Sequence, residues 1–265
     1  MTLRREPHLA EVSENDAGGR IAELYDDIRR VTGVRSVALI YRALAAIPGT
    51  LETVWDDLAP NLADPEVRAA AARIVGASPA AVAKLDPQLA SVPARDAAAT
   101  LAGFARINRL NLVGLSALLA GVRGPFAVSS VAEAVEVVPA GLPMADLTAL
   151  PESTITLLEE MSAPVTGGEL PVVIPSLYRF FAHDEQLLRA LWTALGPVVV
   201  DPGFEQRVGA IRRDAASLAR TLPYGVRQLG LGDGRAVVER FLRTIPSMIV
   251  VGELLGQALG VADEG

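Results

Sequence analysis

The sequence contains no cysteine and only two histidines among its 265 residues. Without cysteine, disulfide bonds, thiol redox chemistry and thiolate metal sites are excluded, and this composition fits a cytoplasmic protein. His8 and His183 lie far apart in the sequence, and neither belongs to a His-x-x-x-His or Glu-x-x-His pattern. A metal site is therefore not predicted.

Basic residues and long apolar runs are also scarce. The net charge is -7, Lys84 is the only lysine, and the arginines are spread along the chain. Because binding to nucleic acid requires clustered basic side chains, a nucleic-acid partner is not expected. No apolar run approaches the roughly 18 residues of a membrane span, and the first residues lack the apolar core of a signal peptide. We expect a soluble cytoplasmic protein that does not bind membranes.

Aromatic residues make up only 5% of the chain, whereas apolar residues, mainly alanine, leucine and valine, make up 51%. Such small and aliphatic side chains suit closely packed helices. Alternation of apolar and polar residues, as in a strand, is not convincing anywhere. The nearest candidates, residues 135–138 and 198–200, are short. The sequence predicts an all-α fold.

One segment of the chain occurs twice. Residues 40–60 read IYRALAAIPGTLETVWDDLAP, and residues 177–197, which lie 137 positions later, read LYRFFAHDEQLLRALWTALGP. The two tryptophans of the protein, Trp55 and Trp192, occupy matching positions, and the same offset relates Asp64-Pro65 to Asp201-Pro202. We therefore predict two tandem homologous helical repeats that pack as an intrachain pseudo-dimer.

The predicted repeats comprise residues 1–121 and 153–265, joined by a connecting segment at 122–152 that contains four prolines. This segment is too apolar for a flexible linker, so we expect it to pack across the surface that joins the halves. Periodicity and end signals predict the following helices: 19–31, 37–46, 48–59, 66–75 and 93–121, then 154–165, 174–182, 184–196, 204–221 and 235–259.

Positions at which the repeats differ in polarity are candidate functional positions. Ile47 in the first repeat corresponds to Asp184 in the second. Conversely, Asn108 and Asn111 correspond to Ile245 and Met248, in a helix that is otherwise mostly apolar. A buried amide is costly unless it forms hydrogen bonds.

Each candidate also has a structural explanation. Asp184 begins a predicted helix, where aspartate commonly accepts hydrogen bonds from free backbone N–H groups. Asn108 and Asn111 are compatible with helix packing, and His183 with an exposed helix start. No serine lies in a G-x-S-x-G setting, so a serine hydrolase is not supported.

The repeated Tyr-Arg…Leu…Trp…Leu…Pro segment, Ala182-His183-Asp184 and the helix around Asn108 resemble the group I 2-haloacid dehalogenases, which act on both D- and L-2-haloalkanoates. Each half more distantly resembles the helical unit of carboxymuconolactone decarboxylases and alkylhydroperoxidase D proteins.

The resemblance to the dehalogenases implies a specific site. Asp184 would be the general base for a water that attacks the halogen-bearing carbon directly, with inversion and without a covalent intermediate. Asn108, or Asn111 as second choice, would hold that water, while Ile47 and Ile245 would form apolar walls. The substrate would be a short carboxylic acid, and neither a metal nor an organic cofactor would be required.

One departure from the family bears on the substrate. The family has a small hydroxyl residue before the catalytic aspartate, whereas this chain has His183, which would take part in substrate binding or pair with Asp184. Three hypotheses follow: a 2-haloacid dehalogenase, another enzyme that uses Asp184 and His183 on a larger metabolite, or a non-catalytic helical protein that binds a small ligand. A homodimer is a further possibility.

Overall fold

The computed structural model describes residues 8–75, 82–85, 92–126, 135–230 and 232–261. The described residues form ten α-helices and one short 3-10 helix, with two isolated β-bridges and no strand. The α-helices are α1 (Gly19–Thr32), α2 (Leu39–Ala45), α3 (Thr50–Ala63), α4 (Pro65–Ala72), α5 (Ala94–Ala120), α6 (Glu152–Thr166), α7 (Ser176–Phe181), α8 (Glu185–Val199), α9 (Pro202–Ala219) and α10 (Asp233–Leu259). The predicted all-α fold is confirmed.

The order of helices repeats along the chain. Helices α1, α2, α3 and α5 have 14, 7, 14 and 27 residues, and α6, α7, α8 and α10 have 15, 6, 15 and 27. This is the order that two copies of one unit would produce. The boundaries of the repeats and their arrangement as a pseudo-dimer stay predictions.

Local chemistry explains where several helices begin. The Asp64 carboxylate accepts hydrogen bonds from the backbone N–H groups of Glu66 and Val67, and the Asp201 carboxylate accepts one from Gly203. In both helices proline follows the capping aspartate, where its missing N–H is not needed.

Helices α3 and α8 continue past the ends predicted at residues 59 and 196. Pro60 and Pro197 lie inside these helices, about one turn from their ends. Each proline removes one backbone hydrogen bond, yet burial of Leu62 and Val199 beyond them favours the extra turn. Packing therefore decides these two ends.

The centre of the fold is the pair of long helices. Leu101 and Phe104 of α5 pack against Gly256 and Gly252 of α10, and the middle of both helices is buried. No helix in the described ranges has an apolar stretch long enough to cross a membrane.

Residues 8–17 lie across both halves before α1 begins. The backbone N–H of Leu9 donates to Val172, and that of Val12 donates to Arg42. The Glu11 carboxylate lies between two buried guanidinium groups, 2.9 Å from Arg42 Nε and 2.8 Å from Arg179 Nη1. Because these arginines lie 137 positions apart and occupy α2 and α7, one carboxylate links equivalent positions of the two predicted repeats.

The connecting segment is in contact with both halves as well. The backbone N–H of Val138 donates to Gly33, and that of Ala145 donates to Arg179. Between them, the N–H of Leu142 donates to Thr100 Oγ1 at 2.7 Å. These bonds hold residues 138–144 as a wall over α5.

Candidate active site

A pocket of about 260 Å³ lies between the start of α2, helix α7, residues 99–111 of α5 and residues 241–248 of α10. We call it the central pocket. Residues 138–144 form its outer wall, and its surface is mainly apolar, with Phe104, Ile107, Phe180, Phe241 and Met248 among the lining side chains.

Two amides from α5 enter this apolar surface. Asn108 is 8% exposed and Asn111 is 1% exposed, and both line the central pocket. Asn108 Nδ2 donates to the carbonyl of Phe104 at 2.9 Å, and Asn111 Oδ1 accepts from the Tyr41 hydroxyl at 2.7 Å. Asn111 Nδ2 is buried and donates to no described residue.

The charged residues that line the pocket are Glu14 and Arg35. Glu14 accepts from Arg29 at 2.6 Å and from the backbone N–H of Val37 at 3.1 Å, so its carboxylate is already bound. Arg35 is exposed and forms no ion pair with any described residue. Among the described residues, the pocket therefore has a cation without an ion-pair partner at its surface and an amide donor without an acceptor inside.

The structure brings together only some of the residues that the sequence singled out. Asn108, Asn111 and Ile245 line the central pocket, whereas Asp184, His183 and Ile47 do not. Asp184 is the N-cap of α8, and its Oδ1 accepts from the backbone N–H of Leu187 at 3.0 Å. The catalytic role of Asp184 stays a prediction, and this geometry does not place its carboxylate beside the amides.

His183 lies on the outer side of the pocket wall. Its ring is exposed, and Nε2 donates to the carbonyl of Pro143 at 2.9 Å. This bond holds residues 138–144 from the side that faces away from the pocket. The geometry therefore supports a structural role for His183 and not direct contact with a ligand. Ile47 is half-buried in the turn between α2 and α3.

The cap geometry predicts the behaviour of Asp184 variants. Asp184→Ala should lower the free energy of unfolding by about 1 kcal/mol, because the Leu187 N–H loses its acceptor, and Asp184→Asn should change it by only a few tenths, since asparagine caps equally well. Urea unfolding measures both, with Asp201→Ala at the start of α9 as the matched control. An Asp184→Ala protein of unchanged stability would contradict this account.

Sequence reasoning missed Tyr41 and Arg35 as site residues. In the sequence, Tyr41 belongs only to the repeated helical pattern. A signal lies in the comparison of the repeats: Tyr41 bonds to Asn111, whereas Tyr178 has Met248 at the position equivalent to Asn111. Arg35 precedes α2 in the sequence, and only the packing of the helices brings it to the same pocket as Asn111. That packing leaves no local pattern.

Among the described residues, no group of three or more His, Asp or Glu side chains is placed to hold a metal ion. No known family model and no curated protein sequence matches the chain.

Solved structures do match. A D-2-haloacid dehalogenase mutant aligns with a TM-score of 0.70 and 19% identity, over 97% of this chain and 96% of that one. A D-2-haloacid dehalogenase mutant in complex with D-2-CPA aligns with a TM-score of 0.69, 19% identity and the same coverage. A D-2-haloacid dehalogenase in complex with L-LA aligns with a TM-score of 0.68 and 20% identity, over 98% of this chain and 97% of that one. The chain thus has, over nearly its whole length, the fold of the D-2-haloacid dehalogenases.

Proposed function

We propose that the central pocket binds a short 2-substituted alkanoic acid, the kind of ligand that haloacid dehalogenases of this fold act on. The observation that carries the proposal is the buried Asn111 Nδ2, which lines the pocket without an acceptor from the described residues. A buried donor without a partner is costly. A carboxylate or carbonyl oxygen of a ligand would satisfy it.

The size and charge of the pocket support this class of ligand. A volume of about 260 Å³ lies below the roughly 300–1,000 Å³ typical of drug-sized ligands, so the pocket suits a molecule of few heavy atoms. Arg35 supplies a positive charge for an acid, and the aromatic and aliphatic walls suit a short alkyl chain.

Hydrolytic dehalogenation is the second candidate function, and the shared fold favours it. Because Nδ2 of Asn108 donates to Phe104, its Oδ1 remains to accept a hydrogen bond from water. Such a bond would orient the water without occupying the lone pair that attacks carbon. The described lining of the pocket does not supply a free carboxylate as general base, because Glu14 is bound by Arg29 and Asp184 lies outside the pocket.

Binding and turnover are separated by measuring both on the same samples. We expect ligand-observed NMR to detect binding of D- or L-2-chloropropionate, and Asn111→Met, which installs the residue of the second repeat, to weaken binding about tenfold or more through loss of the donor. Halide release, measured alongside for both enantiomers, tests dehalogenation.

The outcomes assign the function. Halide release that Asp184→Asn abolishes, with binding and stability retained, would establish dehalogenation and Asp184 as its base. Binding without release of chloride or bromide would leave a binding protein or another reaction on a related acid. Absence of binding of chloro-, bromo- and hydroxy-acids of two to four carbons would overturn the proposal.

A further inference from the structure

The two pocket amides use opposite ends for their internal hydrogen bonds. Asn108 and Asn111 are three residues apart on α5, so their side chains share one face of the helix. Asn108 donates through Nδ2 to Phe104, whereas Asn111 accepts through Oδ1 from Tyr41. The ends that remain for a ligand are therefore an acceptor, Asn108 Oδ1, and a donor, Asn111 Nδ2.

Tyr41 determines which atom of the Asn111 amide remains available to a ligand. The tyrosine is fully buried, and its ring packs edge-on against Trp55 with centroids 5.4 Å apart. Burial raises the pKa of the Tyr41 hydroxyl far above its usual value, so the group keeps its proton. The hydroxyl donates to Asn111 Oδ1, and the two oxygen atoms lie 2.7 Å apart. This bond turns Nδ2 of Asn111 away from Tyr41.

The second repeat shows that the fold does not require this pair. Tyr178 occupies the position equivalent to Tyr41 and is as deeply buried, yet its hydroxyl has no partner among the described residues. At the position equivalent to Asn111 the second repeat has Met248. A tyrosine at this position therefore packs without an amide, and the Tyr41–Asn111 bond is not a demand of helix packing.

We infer that Tyr41 is a positioning residue that makes Asn111 an obligate hydrogen-bond donor, so that the central pocket selects a ligand with an acceptor beside Asn111 and a hydroxyl or water beside Asn108. The inference rests on the proposed function and adds to it which end of the pocket donates a hydrogen bond to the ligand and which end accepts one. A 2-hydroxy acid carries both groups. A primary amide of the same shape keeps one carbonyl oxygen but carries an NH2 donor in place of the second carboxylate oxygen.

The test compares 2-chloropropionate with 2-chloropropionamide as ligands. Asn111→Asp keeps the acceptor of the Tyr41 hydroxyl but replaces the donor with a carboxylate. We expect its affinity for the acid to fall about tenfold or more, while its affinity for the amide is kept or increased. NMR titration of the wild type and variant gives both affinities, and thermal unfolding verifies that the variant is folded.

The matched pair Tyr41→Phe and Tyr178→Phe tests the positioning role. Tyr41→Phe frees the Asn111 amide to turn, so the wild-type preference for the acid over the amide should fall about threefold or more, by analogy with the modest worth of one hydrogen bond. Tyr178→Phe should leave the preference unchanged. A preference that stays within twofold of wild type in both Asn111→Asp and Tyr41→Phe overturns the inference.

Failure of the proposed function would look different. If the wild type binds neither compound, the ligand class is wrong, and the positioning role is decided by stability alone. Tyr41→Phe should then melt below Tyr178→Phe, because only the former breaks a hydrogen bond and leaves Asn111 Oδ1 buried without a donor. Equal melting temperatures overturn the positioning role.

Discussion

Replacing Glu11 by glutamine is expected to lower the free energy of unfolding by about 3 kcal/mol. Removing one partner of a buried ion pair costs roughly 3–5 kcal/mol, because the other charge stays buried without compensation. Here the carboxylate serves two guanidinium groups, Arg42 and Arg179, whose side chains are 5% and 4% exposed. The Glu11 side chain is 19% exposed, so water reduces the cost and the lower end of the range applies.

The charges explain why glutamine cannot substitute. Burial lowers the pKa of the Arg42 guanidinium, the Glu11 carboxylate opposes that shift, and the positive charge of Arg179 adds to it. A neutral amide leaves two arginines facing each other across the junction of the halves. Urea unfolding of Glu11→Gln measures the loss.

Glu23→Gln is the matched control for this prediction. Glu23 pairs with Arg20 at 3.0 Å, but the two side chains are 68% and 58% exposed, and surface pairs contribute only about 0–1 kcal/mol. A Glu11→Gln protein as stable as Glu23→Gln would show that the double ion pair does not hold the halves together.

Adding one methyl group at Gly141 is expected to have the second large effect. A Cβ there would lie 2.2 Å from Thr100 Oγ1 and 2.6 Å from the backbone nitrogen of Thr100. The backbone of α5 cannot yield, so the wall at residues 138–144 must move outward and break the bond from Leu142 to Thr100. We expect Gly141→Ala to cost about 1–3 kcal/mol or more and to abolish ligand binding in the central pocket.

The control is Gly209→Ala in α9. A Cβ at that position meets only the flexible end of Arg213, at 3.4 Å, and alanine in a helix interior is favoured over glycine by roughly 0.5–1 kcal/mol. The melting temperature should therefore fall for Gly141→Ala and rise for Gly209→Ala. A Gly141→Ala protein that keeps both stability and 2-chloropropionate affinity would show that the close contact between Gly141 and Thr100 does not fix the wall.

Much of the fold could be predicted because its determinants are local. Asp64-Pro65 and Asp201-Pro202 mark helix starts through neighbouring backbone N–H groups, and the structure shows both caps. Apolar periodicity and end signals predicted each α-helix of the described residues, with differences of a few residues at the ends.

The site was harder to predict because its residue types have two uses. Aspartate at a helix start serves equally as a cap and as a general base, and only the structure shows that Asp184 caps α8 outside the pocket. Asn108 and Asn111 could be predicted as site residues because an amide in an apolar helix is conspicuous, and both line the pocket. Which amide atom faces the ligand depends on the hydrogen bond from Tyr41 of α2, 70 residues away.

The double ion pair of Glu11 also has a consequence during protein synthesis. Glu11 and Arg179 are 168 residues apart, so at 5–20 residues per second the carboxylate waits about 8–34 s for its second partner. Over that time Arg42 can hold the carboxylate alone, while the face of α5 that α10 later covers remains open. The first half is therefore synthesised before α10 can cover this apolar face of α5, and uncovered apolar surface favours aggregation.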